Sequence, residues 1–413
     1  MNRPTLLTLA MAGTLGTQAL LFSSQAADWP RYRGPQFNGI SSEQGWLGTW
    51  PGGTPKQLWK QNVGIGFSSM SVAGGRLYTV GNDGRKKGGK DTVYCFDATT
   101  GSEVWRYAYD QNLDDKYYEG GPGATPTVDG DRVYVVGRHG TVVCLDAAKG
   151  TELWKRDLHK DLGLEIPEWG FNGSVHIDGD RAILNAGTHG LALDKKSGKE
   201  LWTTGKEAGG YGTPVPIRAG DQEALALFTA KTVTAIDPAS GKSLWSHPWK
   251  TSYDVNAADP AVSGDKMFIS SGYGSGGAGL EFSKSTVREL WRNKEIAAHM
   301  ASPIAIGSHV YGLDGSGGDK NSRLKCLDLA TGKVLWASPQ GATGSLAAAG
   351  DKLLWVTGSG ELVIVDAKPD AYKEVARAQV TGGKVWTPPV LSNGRLYVRN
   401  AKGDVVCVDL KGS

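Results

Sequence analysis

Seven tryptophans recur along the chain at a nearly constant interval, and that period constrains the fold more than any other feature. Trp59, Trp105, Trp154, Trp202, Trp245, Trp291 and Trp336 are separated by 46, 49, 48, 43, 46 and 45 residues. An eighth, degenerate copy is AYKEVAR at residues 371–377, where Val375 or Ala376 stands in the Trp position. Five of the tryptophans follow an Asp-x-x-x-Gly phrase: Asp97 to Gly101, Asp146 to Gly150, Asp194 to Gly198, Asp237 to Gly241 and Asp328 to Gly332. The phrase is turn chemistry. An Asp carboxylate can accept backbone N–H groups inside a turn, and Gly supplies positive φ at its exit.

Upstream of each turn lie two further strand phrases. In the second unit they read ATPTVDGDRVYVVG and GTVVCLD. The DGDR and AGGR tetrapeptides predict hairpin turns between runs rich in Val, Tyr and Ile. Helical periodicity is absent almost everywhere. A period of about 45 residues holding four strands predicts an all-β fold, a β-propeller built from four-stranded antiparallel blades. The last unit, residues 385–413, supplies only three strands, and KQLWKQ around Trp59 supplies a strand with nothing before it. Joining the two closes the ring, removes the open edges and gives eight blades. The expected organisation is a leader at residues 1–26, a lead-in at 27–56 and the propeller at 57–413. Each repeated Trp is expected to wedge between neighbouring blades, its one N–H seeking a partner there.

The leader is expected from Arg3, the apolar stretch LLTLAMAGTLGTQALLF and the small-x-small site at Ser24-Gln25-Ala26. It implies export to a periplasmic or extracellular setting. No Cys precedes Cys95, so no lipidation site is expected, and the mature chain carries no expected transmembrane segment. The formal net charge is +3 and falls by one with the leader. A balance that small gives no reason to expect nucleic acid or an anionic membrane as partner. Apolar residues at 39% and charged residues at 21% permit a sizeable core and argue against disorder.

The Asp-x-x-(Thr)-Gly-x-x-x-Trp units in an eightfold series resemble the pyrroloquinoline quinone (PQQ)-like repeat of the quinoprotein alcohol dehydrogenase-like propellers. The mature start, DWPRYRGPQFNGIS, is similar to the lead-in of secreted members. The resemblance implies one of two branches: PQQ- and Ca²⁺-dependent dehydrogenases, or non-catalytic BamB-like propellers of outer-membrane assembly. The dehydrogenase branch commonly carries a vicinal disulfide beneath the quinone. Here Cys95, Cys144, Cys326 and Cys407 instead occupy the same place in different blades, beyond the roughly 7 Å Cα separation a disulfide tolerates. They are expected to be buried free thiols acting as small apolar fillers.

The connections between blades, and the loops between second and third strands, should emerge on one face, and both classes contain the long segments. Function is expected on that face. Candidates near the channel mouth are Glu165, Glu168, Asn172, Asp254, Asn256, Asp259 and His299. For a quinoprotein, Asp254 or Glu168 would serve as the catalytic carboxylate, with Trp169, Asn172 and Asn256 binding the cofactor. The leading expectation is different: a monomeric, exported, non-enzymatic scaffold with no cofactor and no metal, binding an envelope or secreted protein or peptide. A third reading is a propeller that binds a polysaccharide or small ligand through Trp169, Tyr117, Tyr118 and Tyr253, and grouping of these rings on one patch would favour it. The basic run at residues 84–90 reads as a solvated loop tip. No Gly-x-Ser-x-Gly elbow, metal-spaced His pair or phosphate loop is present.

Overall fold

Eight four-stranded antiparallel sheets succeed one another in chain order, forming an eight-bladed β-propeller. The computed structural model describes residues 27–315 and 321–411; the expected leader at 1–26 lies outside them. Blades 1 to 7 begin with their innermost strands at Ser71–Ala73, Thr127–Asp129, His176–Asp178, Val215–Ala219, Ala261–Ser263, Ile304–Ile306 and Gly344–Ala349. Blade 8 is composite. Its three inner strands are Val390–Ser392, Arg395–Arg399 and Asp404–Asp409, and its outermost strand is Gln57–Asn62, paired antiparallel with Asp404–Asp409. This is the ring closure expected from the orphan strand.

The repeated phrase builds the joint between blades. At the first corner the Asp97 carboxylate accepts the N–H groups of Thr99 (3.0 Å) and Thr100 (2.8 Å). The corner Gly then lies against the Trp of the preceding blade: a Cβ placed on Gly101 would sit 2.6 Å from Trp59, and one on Gly198 2.6 Å from Trp154. The indole N–H groups of Trp59, Trp105 and Trp154 donate to the corner carbonyls of Ala98, Ala147 and Lys195. Tyr397, Tyr78 and Tyr134 direct their hydroxyls to the same three carbonyls. Trp245 breaks the pattern. The following corner, residues 282–286, has no Asp-x-x-x-Gly phrase, and the Trp245 N–H is buried without a partner.

The four cysteines are free and buried, and strand register explains their spacing. Each lies between a Tyr on the second strand and the repeated Trp on the fourth: Tyr78, Cys95 and Trp105 in blade 1, Tyr397, Cys407 and Trp59 in blade 8. Ala192, Ala235 and Gly279 occupy the same place opposite Trp202, Trp245 and Trp291. The position thus takes a small residue wherever the partner is Trp. In blade 7 the register puts Ala376 in the Trp position, opposite the larger Ile364. Volume is conserved across the pair, as close packing demands.

The lead-in enters the central channel. Trp29 exchanges two backbone hydrogen bonds with Val72 on the innermost strand of blade 1 (2.7 and 2.8 Å), and Pro30 accepts the Val128 N–H of blade 2 (2.7 Å). Phe37 packs on His176 of blade 3, and Ile40–Ser41 adds a parallel strand to blade 7. Arg33, at φ +61°, reaches the opposite side and donates to the carbonyl of Pro303 (2.6 Å). Innermost strands present unpaired edges to the channel, and this segment satisfies part of them while filling the bore. No helix among the described residues is long and apolar enough to cross a membrane.

Candidate functional site at the channel mouth

The eight hairpins between first and second strands are all two residues long, so the turn face of the ring is plain. The other face carries the blade connections, up to the 18 residues between Asp157 and His176. At its centre lies a cavity of about 260 Å³. Blade connections supply most of its wall, and Tyr32 at the tip of the lead-in supplies part of its floor. The long loops therefore shape the mouth while the inserted segment makes the channel blind.

Aromatic rings dominate this cavity. Phe67, Tyr118, Trp169 and Trp386 come from connections around blades 8, 1, 2 and 3 and form a continuous wall. Phe67 and Trp386 stack at 4.8 Å between centroids, Tyr118 lies 6.1 Å from both Trp386 and Trp169, and Tyr117 lies 5.3 Å from Trp169. Across the ring axis, from the connections flanking blade 5 and from blade 5 itself, Tyr273 contacts His299 at 4.7 Å and Tyr253 at 5.4 Å. Tyr253 and Tyr273 hold positive φ, 78° and 55°, a costly conformation for bulky residues.

Four cations around the mouth are paired with acids. Lys116 pairs with Glu168 (2.9 Å), Lys384 with Glu119 (2.8 Å), Lys86 with Asp115 (2.9 Å) and Arg138 with Asp114 (3.4 Å). Arg138 also donates to the Tyr118 hydroxyl, fixing that ring. Among the described residues Asp259 is the one carboxylate lining the cavity, and it is only 3% exposed. Burial raises its pKa to about 6, opposed by the nearby Arg33 charge and by the hydrogen bond from the Thr213 N–H at 2.8 Å. Burial also lowers the pKa of His299, keeping that ring neutral near pH 7.

The sequence candidates separate into distinct places. Trp169, Asn172, Asp259 and His299 line the cavity. Asn172 spends its amide on the carbonyls of Trp169 and Gly170 and so holds the loop in shape. Asn256 is fully buried beside the cavity, donating to Thr229, Ala230 and Trp249 carbonyls and accepting from Ser271. Its side chain is committed to a structural network. Glu168 is an exposed partner of Lys116 at a separate, shallower depression, and Glu165 accepts the Ala208 N–H. Asp254 sits in the tight turn Ser252–Asp254, outside the cavity lining. Sequence reasoning missed Phe67, Tyr211, Tyr273 and Trp386; each lies in a blade connection or second-to-third-strand loop, the signal that located the others.

PQQ carries carboxylates that require Arg or Lys partners, and Ca²⁺ requires six to eight oxygens. Among the described residues, no Lys or Arg lines the cavity, one carboxylate does, and no group of three or more His, Cys, Asp or Glu is arranged to hold a metal. The residues present do not fit the quinone–calcium pair.

A family model described as outer membrane protein assembly factor BamB matches residues 51–120, 89–338 and 320–413. The chain belongs to this family. Among solved structures, BamB from Moraxella catarrhalis is 17% identical, with 87% of this chain and 99% of that one covered at a TM-score of 0.61. Quinohemoprotein alcohol dehydrogenase from Comamonas testosteroni is 15% identical over 94% of this chain and 81% of its own, with a TM-score of 0.66. A europium-containing methanol dehydrogenase is 13% identical over 92% and 89%, with a TM-score of 0.65. At these identities the similarity to solved structures establishes a shared propeller fold for this BamB-family chain. No curated protein sequence matches it.

Proposed function

We propose that this BamB-family propeller is an exported, non-enzymatic scaffold that holds a protein or peptide partner of the cell envelope on its loop-rich face. The observation that carries the reading is the makeup of the channel mouth: a built cavity with aromatic walls, whose flanking Lys116, Lys384 and Arg138 are paired with acids. Exposed aromatic rims with rigid support are typical of recognition surfaces. Tyr117 (71% exposed) and Tyr253 (74%) stand at that rim. Family membership supports the same reading, because the family is described by an assembly factor of the outer membrane.

A photo-reactive phenylalanine analogue at position 117 or 253, expressed in the native cells, tests it. Discrete cross-linked adducts are expected at these rim positions and none at the exposed hairpin tips Asp131 and Asp265 on the turn face. Adducts confined to the turn-face positions would reverse the assignment, and none at either face would remove it.

A further inference from the structure

We propose that the cavity at the channel mouth is a binding site for a neutral sugar ring, the end or a projecting unit of a glycan. The inference goes beyond the partner-binding reading and stands independently of it.

The ligand must be uncharged. Lys116, Lys384 and Arg138, the cations beside the aromatic walls, are each paired with an acid, and the buried charges of Asp259 and Arg33 offset one another. Among the described residues that line the cavity, a carboxylated ligand would find no Arg or Lys. An organic cation would meet the Arg33 charge behind the one available acid. Desolvating either without a compensating partner is unfavourable.

The ligand must also have apolar faces and a hydrogen-bonding edge. The two walls are faces of Trp169, Trp386, Tyr118 and Phe67 on one side and Tyr273 on the other. They are firmly held: Arg138 fixes Tyr118, and strained backbone at Tyr253 and Tyr273 sets the far rim. Between the walls, the Asp259 carboxyl receives only the Thr213 N–H, on Oδ1; Oδ2 has no hydrogen bond from any described residue. A flat aromatic or aliphatic occupant would fill the space but seal that oxygen from water unpaired, at the cost of its desolvation. A pyranose presents C–H faces to the rings and donates a hydroxyl to the carboxylate. A cavity of about 260 Å³ suits a compact unit of this kind.

The test is a titration of the mature protein, followed by Trp fluorescence, with cellotriose, maltotriose and chitotriose as neutral probes. Trigalacturonate serves as the anionic probe and N-acetyltryptophanamide as the flat aromatic one. At least one neutral trisaccharide is expected to give a saturable change below about 10 mM, where even weak sites fill. Tyr117→Ala and Trp386→Ala should each weaken it about three- to tenfold, the loss of one stacking ring, and Asp259→Asn should weaken it further. Tyr117 is exposed, so its variant remains informative if Asp259→Asn fails to fold. Saturation by trigalacturonate or by N-acetyltryptophanamide alone, or by no probe, would overturn the proposal. Rim cross-links retained in Trp386→Ala would show that partner binding survives without the sugar site; their loss with sugar binding intact would separate the two the other way.

Discussion

Replacing Gly198 by Ala isolates the energetic role of the blade joint. Gly198 has φ +68°, and its added Cβ would lie 2.6 Å from Cε3 and 2.8 Å from Cδ2 of Trp154. Two costs combine. Placing Ala in the left-handed region costs about 1 kcal/mol. Forcing a methyl against a packed ring adds about 1–3 kcal/mol of overpacking. Gly264 is the matched control: its φ is +61°, and nothing lies within 4 Å of its Cβ position. Gly264→Ala carries the backbone cost alone. Urea unfolding monitored by fluorescence, at constant m value, should therefore show Gly198→Ala less stable than Gly264→Ala by about 1–3 kcal/mol. Equal losses would refute the idea that the corner glycine exists to admit the tryptophan of the preceding blade.

Trp154→Phe removes an indole N–H that donates to Lys195 O at 3.0 Å and should cost about 1 kcal/mol more than Trp245→Phe, whose N–H is already unpaired, in the same unfolding assay. His176 stacks on Phe37 of the lead-in, and burial depresses its pKa from 6.5 to about 3. Its contribution to stability is complete above pH 6.5 and is lost as pH falls from 6.5 toward 3, because only the unfolded chain takes up the proton. By pH 5 the loss reaches about 2 kcal/mol relative to high pH, and His176→Leu should reduce the fall in urea stability toward pH 5 by that amount. Burial pushes the thiols up to about 11 at Cys95 and Cys144 and about 12 at Cys326 and Cys407, so a thiol-specific colorimetric reagent should find none reactive in the native protein at pH 8 and four after denaturation.

The architecture was legible because one structural unit is written eight times. Trp spacing, Asp-x-x-x-Gly corners and two-residue hairpins each report local geometry, and the unmatched strand at Trp59 reveals the closure. The joint itself was only half legible: the sequence marks Gly101 and Trp59 as special, but only register shows that the glycine of one blade receives the tryptophan of the blade before. The site was less legible still. Trp169 and Tyr118 were visible as aromatics in long loops, whereas Trp386 lies in a short connection and meets them only because the ring brings blade 8 beside blade 1. Asn256 looked like a ligand from composition, and its backbone-directed hydrogen bonds exist only in three dimensions. The route of residues 29–41 through the channel leaves no periodic trace, since its contacts are scattered over blades 1, 2, 3, 6, 7 and 8.

The central claim is that the repeats are scaffold and that the mouth binds without redox chemistry. Titration of the mature protein with PQQ, with and without Ca²⁺, tests it by Trp fluorescence and dye-coupled alcohol oxidation. The account predicts no saturable Ca²⁺-dependent quenching and no turnover, since among the described residues no Lys or Arg lines the cavity and no carboxylate cluster is assembled there. Saturable quenching that requires Ca²⁺, accompanied by turnover, would contradict it.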